Sequence, residues 1–180
     1  RSTFDEAVIR SAARLTYDEV AAGIIDGDQK VRMTLGALIP HLQELHALYR
    51  VLKYPRRKRG ALDLDSVEAR FVFAASAPGV ARIETVVRNT AHEVIEECMI
   101  AANVCAARFV GRHRLPALYR VHEPPQAEKL AELAFSLSEI GLRLPAKGVV
   151  TPLDLARVVE SADEQANRQI VQTLILRSLA

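Results

Sequence analysis

Hydrophobic positions recur most regularly between Asn89 and Val110, NTAHEVIEECMIAANVCAARFV. Val94, Ile95, Cys98, Met99, Ala102, Cys105, Ala106 and Phe109 follow the i, i+3, i+4, i+7 spacing of one helix face. Ala101, Ala102, Ala106 and Ala107 favour helix, and their small side chains let other backbone approach. His92, Glu93, Glu96 and Glu97 gather in the first half, where carboxylates complement the positive end of the helix. The plain reading is a core helix with a solvated acidic start. A carboxylate aimed into a cleft is the sharper reading, which structural ion pairs imitate.

The rest of the chain is organised before and after this helix. Ser2–Ile9 alternates weakly as a strand, with a helical pattern nearly as good. Ala13–Ile25 predicts a helix closed by Gly27, carrying Tyr17 beside Asp18 and Glu19. Val31–Leu52 predicts a long helix with Leu35, Leu38, Ile39, Leu42, Leu45, Leu48 and Tyr49 as its apolar stripe. Pro40 lies inside that pattern and predicts a kink or a break. His41 and His46 are read as surface or packing residues. Ala61–Ser66 alternates like a strand, with Asp63 and Asp65 on one face. Phe71–Ala74 and Val80–Val87 have strand composition, and Gly79 marks a turn between them. Ala117–His122 predicts a short strand stopped by Pro124 and Pro125. Ala127–Ile140, Leu153–Ser161 and Glu164–Ala180 complete a helical second half, with Thr151 as N-cap and Pro152 in the first turn of the middle helix. The fold class is therefore mixed α/β, α+β-like and mainly helical, with a short antiparallel strand meander packed on helices.

At 180 residues the chain holds one core and is short for two domains. A net charge of +2 does not announce a nucleic-acid partner, and 5% aromatic content leaves few residues for base stacking. The charge is local instead. Arg50–Arg59, RVLKYPRRKR, carries six positive residues and no negative one. A solvated helix end accounts for it, with a phosphate-contacting patch as the functional alternative. On one helix, Cys98 and Cys105 stand roughly 10 Å apart, too far for a disulfide. Reduced, buried thiols in a cytoplasmic protein are expected. No apolar run reaches membrane-spanning length. The sequence starts without Met and stops inside the periodic stretch Ile170–Ala180, so both ends are expected to have been cut from something longer.

No P-loop, GxSxG, paired CxxC or Gly-rich nucleotide fingerprint is present. His92-Glu93-Val94-Ile95-Glu96 departs from the zinc-protease HExxH because Glu96 replaces the second histidine. Asp63 and Asp65 are the one candidate Mg²⁺ pair, without further ligands at recognisable spacing. No metal cage within this chain is expected.

Several stretches occur together in a distinctive order: ARLTYDEV (13–20), HLQELHALYRVL (41–52), RGALDL (59–64), RNTAHEVIEECMIAANVCAARFV (88–110), ALYRVHEPP (117–125) and QTLILRS (172–178). This set resembles the catalytic RNB domain of the ribonuclease II/ribonuclease R exoribonucleases, closest to the ribonuclease R branch. IEECMIAAN is its most specific piece. The resemblance covers almost all of 1–180 as the middle portion of such a domain.

The resemblance implies processive 3′→5′ hydrolysis of RNA to nucleoside 5′-monophosphates, with Mg²⁺ as cofactor and RNA, not DNA, as partner. It implies that Tyr17 is the active-site tyrosine near the scissile phosphate. Glu96 is correspondingly the active-site glutamate near the 3′-terminal nucleotide. Both side chains are then expected to border one groove. Leu64 stands where the family commonly stacks an aromatic on threaded bases, worth about 1–3 kcal/mol per base. With Leu64, the candidate RNA contacts are Arg56, Arg57, Lys58, Arg59, Arg88 and His122. The family's metal-binding aspartates and its downstream arginine segment lie outside 1–180, so this piece alone is expected to be inactive. A non-catalytic RNA-binding module and a helical scaffold domain are the alternatives.

Overall fold

The computed structural model describes residues 2–62, 68–74, 79–121, 123–145, 149–162 and 165–179. They divide into two compact units, one of Arg1–Lys53 with Val87–Leu118 and one of Tyr54–Val86 with Tyr119–Ala180.

In the first unit, Thr16 starts α1 (Tyr17–Val20) through a capping box with Glu19. The Thr16 hydroxyl accepts from the Glu19 N–H at 3.2 Å, and Glu19 Oε2 accepts from the Thr16 N–H at 2.7 Å. The helix predicted from Ala13 therefore begins four residues late, where a T-x-x-E signature satisfies the orphan donors. It continues as a π-helical turn, Ala21–Ile25. Residues 2–9, predicted as a weak strand, form neither strand nor helix. Their alternation finds no neighbouring strand.

The predicted long helix is interrupted. α2 (Gln29–Leu35) is capped by Asp28 and ends at Gly36, whose φ is +49°. A 3₁₀ turn, Gly36–Leu38, leads into α3 (Ile39–Lys58). The break thus falls at Gly36. Pro40 sits in the first turn of α3, where its missing N–H costs nothing. α3 also runs past its predicted end at Leu52 and carries the basic stretch as its last turns, where cations suit the C-terminal dipole. α4 (Thr90–Arg112) matches the predicted central helix closely. Its buried face uses Ala91, Val94 and Glu97, while Leu35 and Tyr49 are buried on α2 and α3. Cys98 and Cys105 are free, and only half-buried rather than buried.

In the second unit, β1 (Glu68–Phe73) and β2 (Val80–Val86) form an antiparallel pair with Phe71 opposite Ile83 and a bulge between Val72 and Phe73. Arg70 and Arg82 both pair with Glu84, at 2.7 and 2.6 Å. Among the described residues this pair is the whole sheet. Residues 117–121 of the predicted third strand lie outside any strand, with Leu118 fully exposed. Strand composition alone does not make a strand without an edge to pair with.

α5 (Ala127–Glu139), α6 (Pro152–Glu160) and α7 (Gln165–Ser178) bury Leu133, Leu137, Leu155, Val158, Val159, Ala162, Val171 and Ile175 in one cluster. Thr151 caps α6 as predicted, its hydroxyl accepting from the Asp154 N–H at 3.3 Å. Gly60, after the end of α3, has φ +82° and is buried. A Cβ there would stand 2.3 Å from the Leu153 nitrogen.

These contacts set the expected effect of four substitutions. Gly60→Ala adds a backbone clash to a left-handed φ and is expected to cost about 2–5 kcal/mol in urea unfolding. Gly141→Ala is the control. Its φ is +78° with nothing within 4 Å of the added carbon, so only the conformational penalty of about 1–2 kcal/mol is expected. Thr151→Ala is expected to lower stability by about 1 kcal/mol through loss of the cap. The Thr151 hydroxyl, then its backbone N–H, holds the Asp154 carboxyl below the ordinary aspartate range. A depressed folded value stabilises above the unfolded pKa, and that contribution disappears as pH falls through the folded one. Asp154→Asn should therefore remove part of the acid sensitivity of α6, read by hydrogen exchange below the usual carboxylate range.

Candidate functional site

The sequence-predicted pair Tyr17 and Glu96 falls within the first unit, and α4 organises both. Its N-cap, Asn89, is extended (φ −117°, ψ 174°), and its Oδ1 accepts from the N–H groups of Ala91 at 3.0 Å and His92 at 3.4 Å. Two orphan donors of the first turn are thereby satisfied. The His92 ring closes the box, with Nδ1 accepting the Asn89 N–H at 3.2 Å. The remaining end of the Asn89 amide, Nδ2, donates to Asp18 Oδ1 at 3.2 Å. One residue earlier, Tyr17 stacks on His92 with centroids 3.9 Å apart and planes at 21°. Two contacts tie the start of α1 to the start of α4, and Tyr17 remains 44% exposed.

Glu96 lies one turn after His92, so the two share a stripe of α4. Its side chain is 43% exposed. Arg88 engages both of its oxygens, Nε donating to Oε1 at 3.0 Å and Nη2 to Oε2 at 2.6 Å. Nη1 of the same guanidinium faces Glu93 Oε1 at 3.5 Å. The other oxygen of Glu93 accepts from the Tyr49 hydroxyl and from Lys53 Nζ, and Lys53 also donates to the Tyr49 oxygen at 2.8 Å. Burial pushes the Tyr49 phenol up, the bond to Glu93 adds to that, and Lys53 opposes it. Burial alone would lower Lys53, but its bonds to Glu93 and Tyr49 outweigh that and raise it. The phenol therefore stays protonated and the ammonium charged across the neutral range.

A groove of about 450 Å³ runs beside these groups, lined by Asp18, Asp26, Arg88, Asn89, Thr90 and Glu93 among others. Neither Tyr17 nor Glu96 lines it directly; their neighbours Asp18 and Arg88 do. Arg88 was a candidate RNA contact in the sequence, and the structure gives its guanidinium to Glu96 and Glu93.

The other candidates are placed elsewhere. Arg57, Lys58 and Arg59 are exposed and Arg56 is half-buried, all in the second unit. Arg57 donates to Glu160 at 2.8 Å, and Lys58 lies over the Tyr54 ring at 4.6 Å. Leu64 and His122, like Asp63 and Asp65, lie outside the described residues. Among the described residues, no three His, Cys, Asp or Glu side chains stand together as a metal site.

Sequence reasoning missed the partners that hold the pair. The Tyr17–His92 contact spans 75 positions and has no local signal. Tyr49 was read only as part of an apolar stripe and Lys53 only as part of the basic run, and nothing in the sequence linked them to Glu93, 44 and 40 residues on.

Comparison with known proteins adds an independent result. The chain is 45% identical over 174 residues to ribonuclease R of Vibrio cholerae, covering 97% of this chain and 21% of that protein. It is 44% identical over 176 residues to ribonuclease R of Escherichia coli K12, with 98% and 21% covered. The chain thus spans about a fifth of the length of the curated relatives it matches. Its backbone is similar to Mycoplasma genitalium RNase R, solved in complex with ribose-methylated single-stranded RNA and also with double-stranded RNA. Both have a TM-score of 0.75 at 23% identity over 91% of this chain, a likeness of fold. They cover 25% and 29% of the respective solved chains. The RNB domain model matches residues 1–180, and the chain belongs to the RNB domain family.

Proposed function

We propose that this chain is part of the catalytic domain of a hydrolytic 3′→5′ exoribonuclease of the ribonuclease R kind, and that Tyr17 and Glu96 seat the 3′ end of RNA. The observation that carries the reading is the Tyr17–His92 stack one turn before Glu96. It gathers a phenol and a carboxylate from remote parts of the chain onto one stripe of α4, both half-exposed. The ribonuclease R relatives and the match to the RNB domain along the whole chain support the same reading.

The two groups have complementary chemistry. A neutral phenol donates a hydrogen bond to a phosphate oxygen and strengthens that bond as negative charge grows in the transition state. A carboxylate repels phosphate but accepts from ribose hydroxyls, and a 2′-hydroxyl partner favours RNA over DNA. Together they would fix the terminal nucleotide for in-line attack, the part of catalysis that comes from orientation. Phosphodiester hydrolysis of this type uses Mg²⁺ to supply a nucleophilic water and charge neutralisation. The described residues do not fit a metal cage, so no step through a cation is assigned to them. In the proposed enzyme the Mg²⁺ ligands lie outside these 180 residues, which alone do not turn over RNA. Nucleoside 5′-monophosphates are the product and the cytoplasm the site of action. Among the described residues no helix is long and apolar enough to cross a membrane.

The test uses the longer protein that carries this chain, with 5′-labelled RNA and Mg²⁺. Mononucleotides should be released from the 3′ end. Tyr17→Phe is expected to lower kcat by about 10-fold or more, equivalent to about 1.4 kcal/mol of transition-state stabilisation, with RNA affinity little changed. Glu96→Ala should lower turnover similarly, or raise KM if the carboxylate anchors only the ground-state ribose. Parental degradation rates in both variants would overturn the assignment.

A further inference from the structure

We propose that Arg88 is a positioning residue for Glu96. Its guanidinium would aim the carboxylate, and Glu93, Tyr49 and Lys53 would brace that guanidinium from behind. The inference rests on the proposed role of Glu96 and goes one layer beneath it.

Arg88 precedes the N-cap Asn89, whose backbone and side chain are fixed by the first turn of α4. From that anchored point its side chain lies along the helix and meets Glu96 two turns on. The contact is fork to fork, Nε on Oε1 and Nη2 on Oε2, at 3.0 and 2.6 Å. A bidentate pair fixes the plane of a carboxylate as well as its place, which a point charge cannot do. Each oxygen keeps a further lone pair for a ligand hydroxyl. The Arg88 side chain is 23% exposed against 43% for Glu96, so the carboxylate is the more open of the two.

Charge accounting explains why the rest of the cluster belongs to the device. Glu93 and Glu96 are three apart on α4, where like charges repel. Arg88 bridges them, and Lys53 supplies the second cation at Glu93. In these described contacts the Glu93 and Glu96 carboxylates meet the Arg88 and Lys53 cations, with the buried Tyr49 hydroxyl donating to Glu93. Without Lys53, Glu93 would compete with Glu96 for the guanidinium. With it, the fork remains available to Glu96.

The experiment is a double-mutant cycle in the longer enzyme, with kcat, KM, RNA affinity and its salt dependence measured for Arg88→Lys, Glu96→Gln and the pair. Arg88→Lys keeps the charge and loses the fork. The expected result is a kcat about 10-fold lower, with RNA affinity within about two-fold, and a double variant no slower than Glu96→Gln alone, because the two act as one unit. Lys53→Met, remote from the carboxylate, should give a smaller fall in kcat that also vanishes in the Glu96→Gln background. Three outcomes overturn the proposal while leaving the role of Glu96 intact. One is parental kcat in Arg88→Lys. Another is weaker RNA binding with a salt slope reduced by about one, the mark of a phosphate contact. The third is a loss that follows only the unfolded fraction and adds to that of Glu96→Gln. If Glu96→Gln itself turns over RNA at the parental rate, the underlying reading fails and takes this proposal with it.

Discussion

Asn89 sits where three demands on one residue meet, two on its side chain and one on its backbone. Its carbonyl oxygen caps α4, its amide nitrogen reaches Asp18, and its own N–H is taken by His92. Each bond alone is worth about 1 kcal/mol. Their joint effect is geometric. They fix the residue at which α4 begins, and every later position on that helix inherits its direction from this start. A shift of one residue would turn each side chain by about 100°, removing His92 from Tyr17 and Glu96 from Arg88. The cap therefore governs which residues of α4 face α1.

The acidic first half of α4 gains a second meaning from this. Carboxylates near a helix N-terminus are favourable on dipole grounds alone, and the sequence pattern stops there. The structure separates them. Glu97 is buried at 5% exposure on the inner face, Glu93 lies within the Tyr49–Lys53–Arg88 cluster, and Glu96 points outward on the stripe of His92. Three neighbouring glutamates thus occupy three environments: the 100° step separates exposed Glu96 from buried Glu97, and Glu93, close to both, is set apart by the Tyr49 and Lys53 side chains it meets.

What could be read in advance follows the range of the interactions. α4 was legible within two residues, since its periodicity is local. So was the start of α6, where Thr151, Pro152 and Asp154 announce a cap. The start of α1 was equally announced by Thr16 and Glu19, and was overlooked beneath the hydrophobic pattern from Ala13. The break at Gly36 rather than Pro40 reflects a positional rule. Proline is harmless in a first turn, and a glycine at positive φ ends a helix more readily. The strand expected at Ala117–His122 did not form over 117–121, because pairing requires a partner edge that no local pattern specifies. Tyr17 and Glu96 entered as site candidates through family resemblance, not periodicity. The Tyr17–His92 stack, 75 residues apart, left no trace in the local sequence, and the Arg88–Glu96 pair, though only eight residues apart, depends on where α4 begins.

The two units also differ in what holds them. In the second, α5, α6 and α7 bury a continuous aliphatic cluster with Leu137, Val171 and Ile175 fully inaccessible. Such burial is strong but non-directional, and it tolerates small shifts of any one side chain. The first unit buries fewer large apolar residues among those described, and leaves Met99 at 58% and Val104 at 42% exposure on α4. Around Tyr17 and Glu96 it uses an aromatic stack, a cap and a bidentate ion pair. These forces contribute less energy per residue than a packed core, but each specifies an angle as well as a distance. A phenol and a carboxylate that must meet different atoms of one nucleotide need that specification. The Tyr17–His92 stack and the Asn89–Asp18 bond tie α1 to α4, Tyr49 and Lys53 tie α3 to α4 through Glu93, and these contacts decide where the two functional groups point.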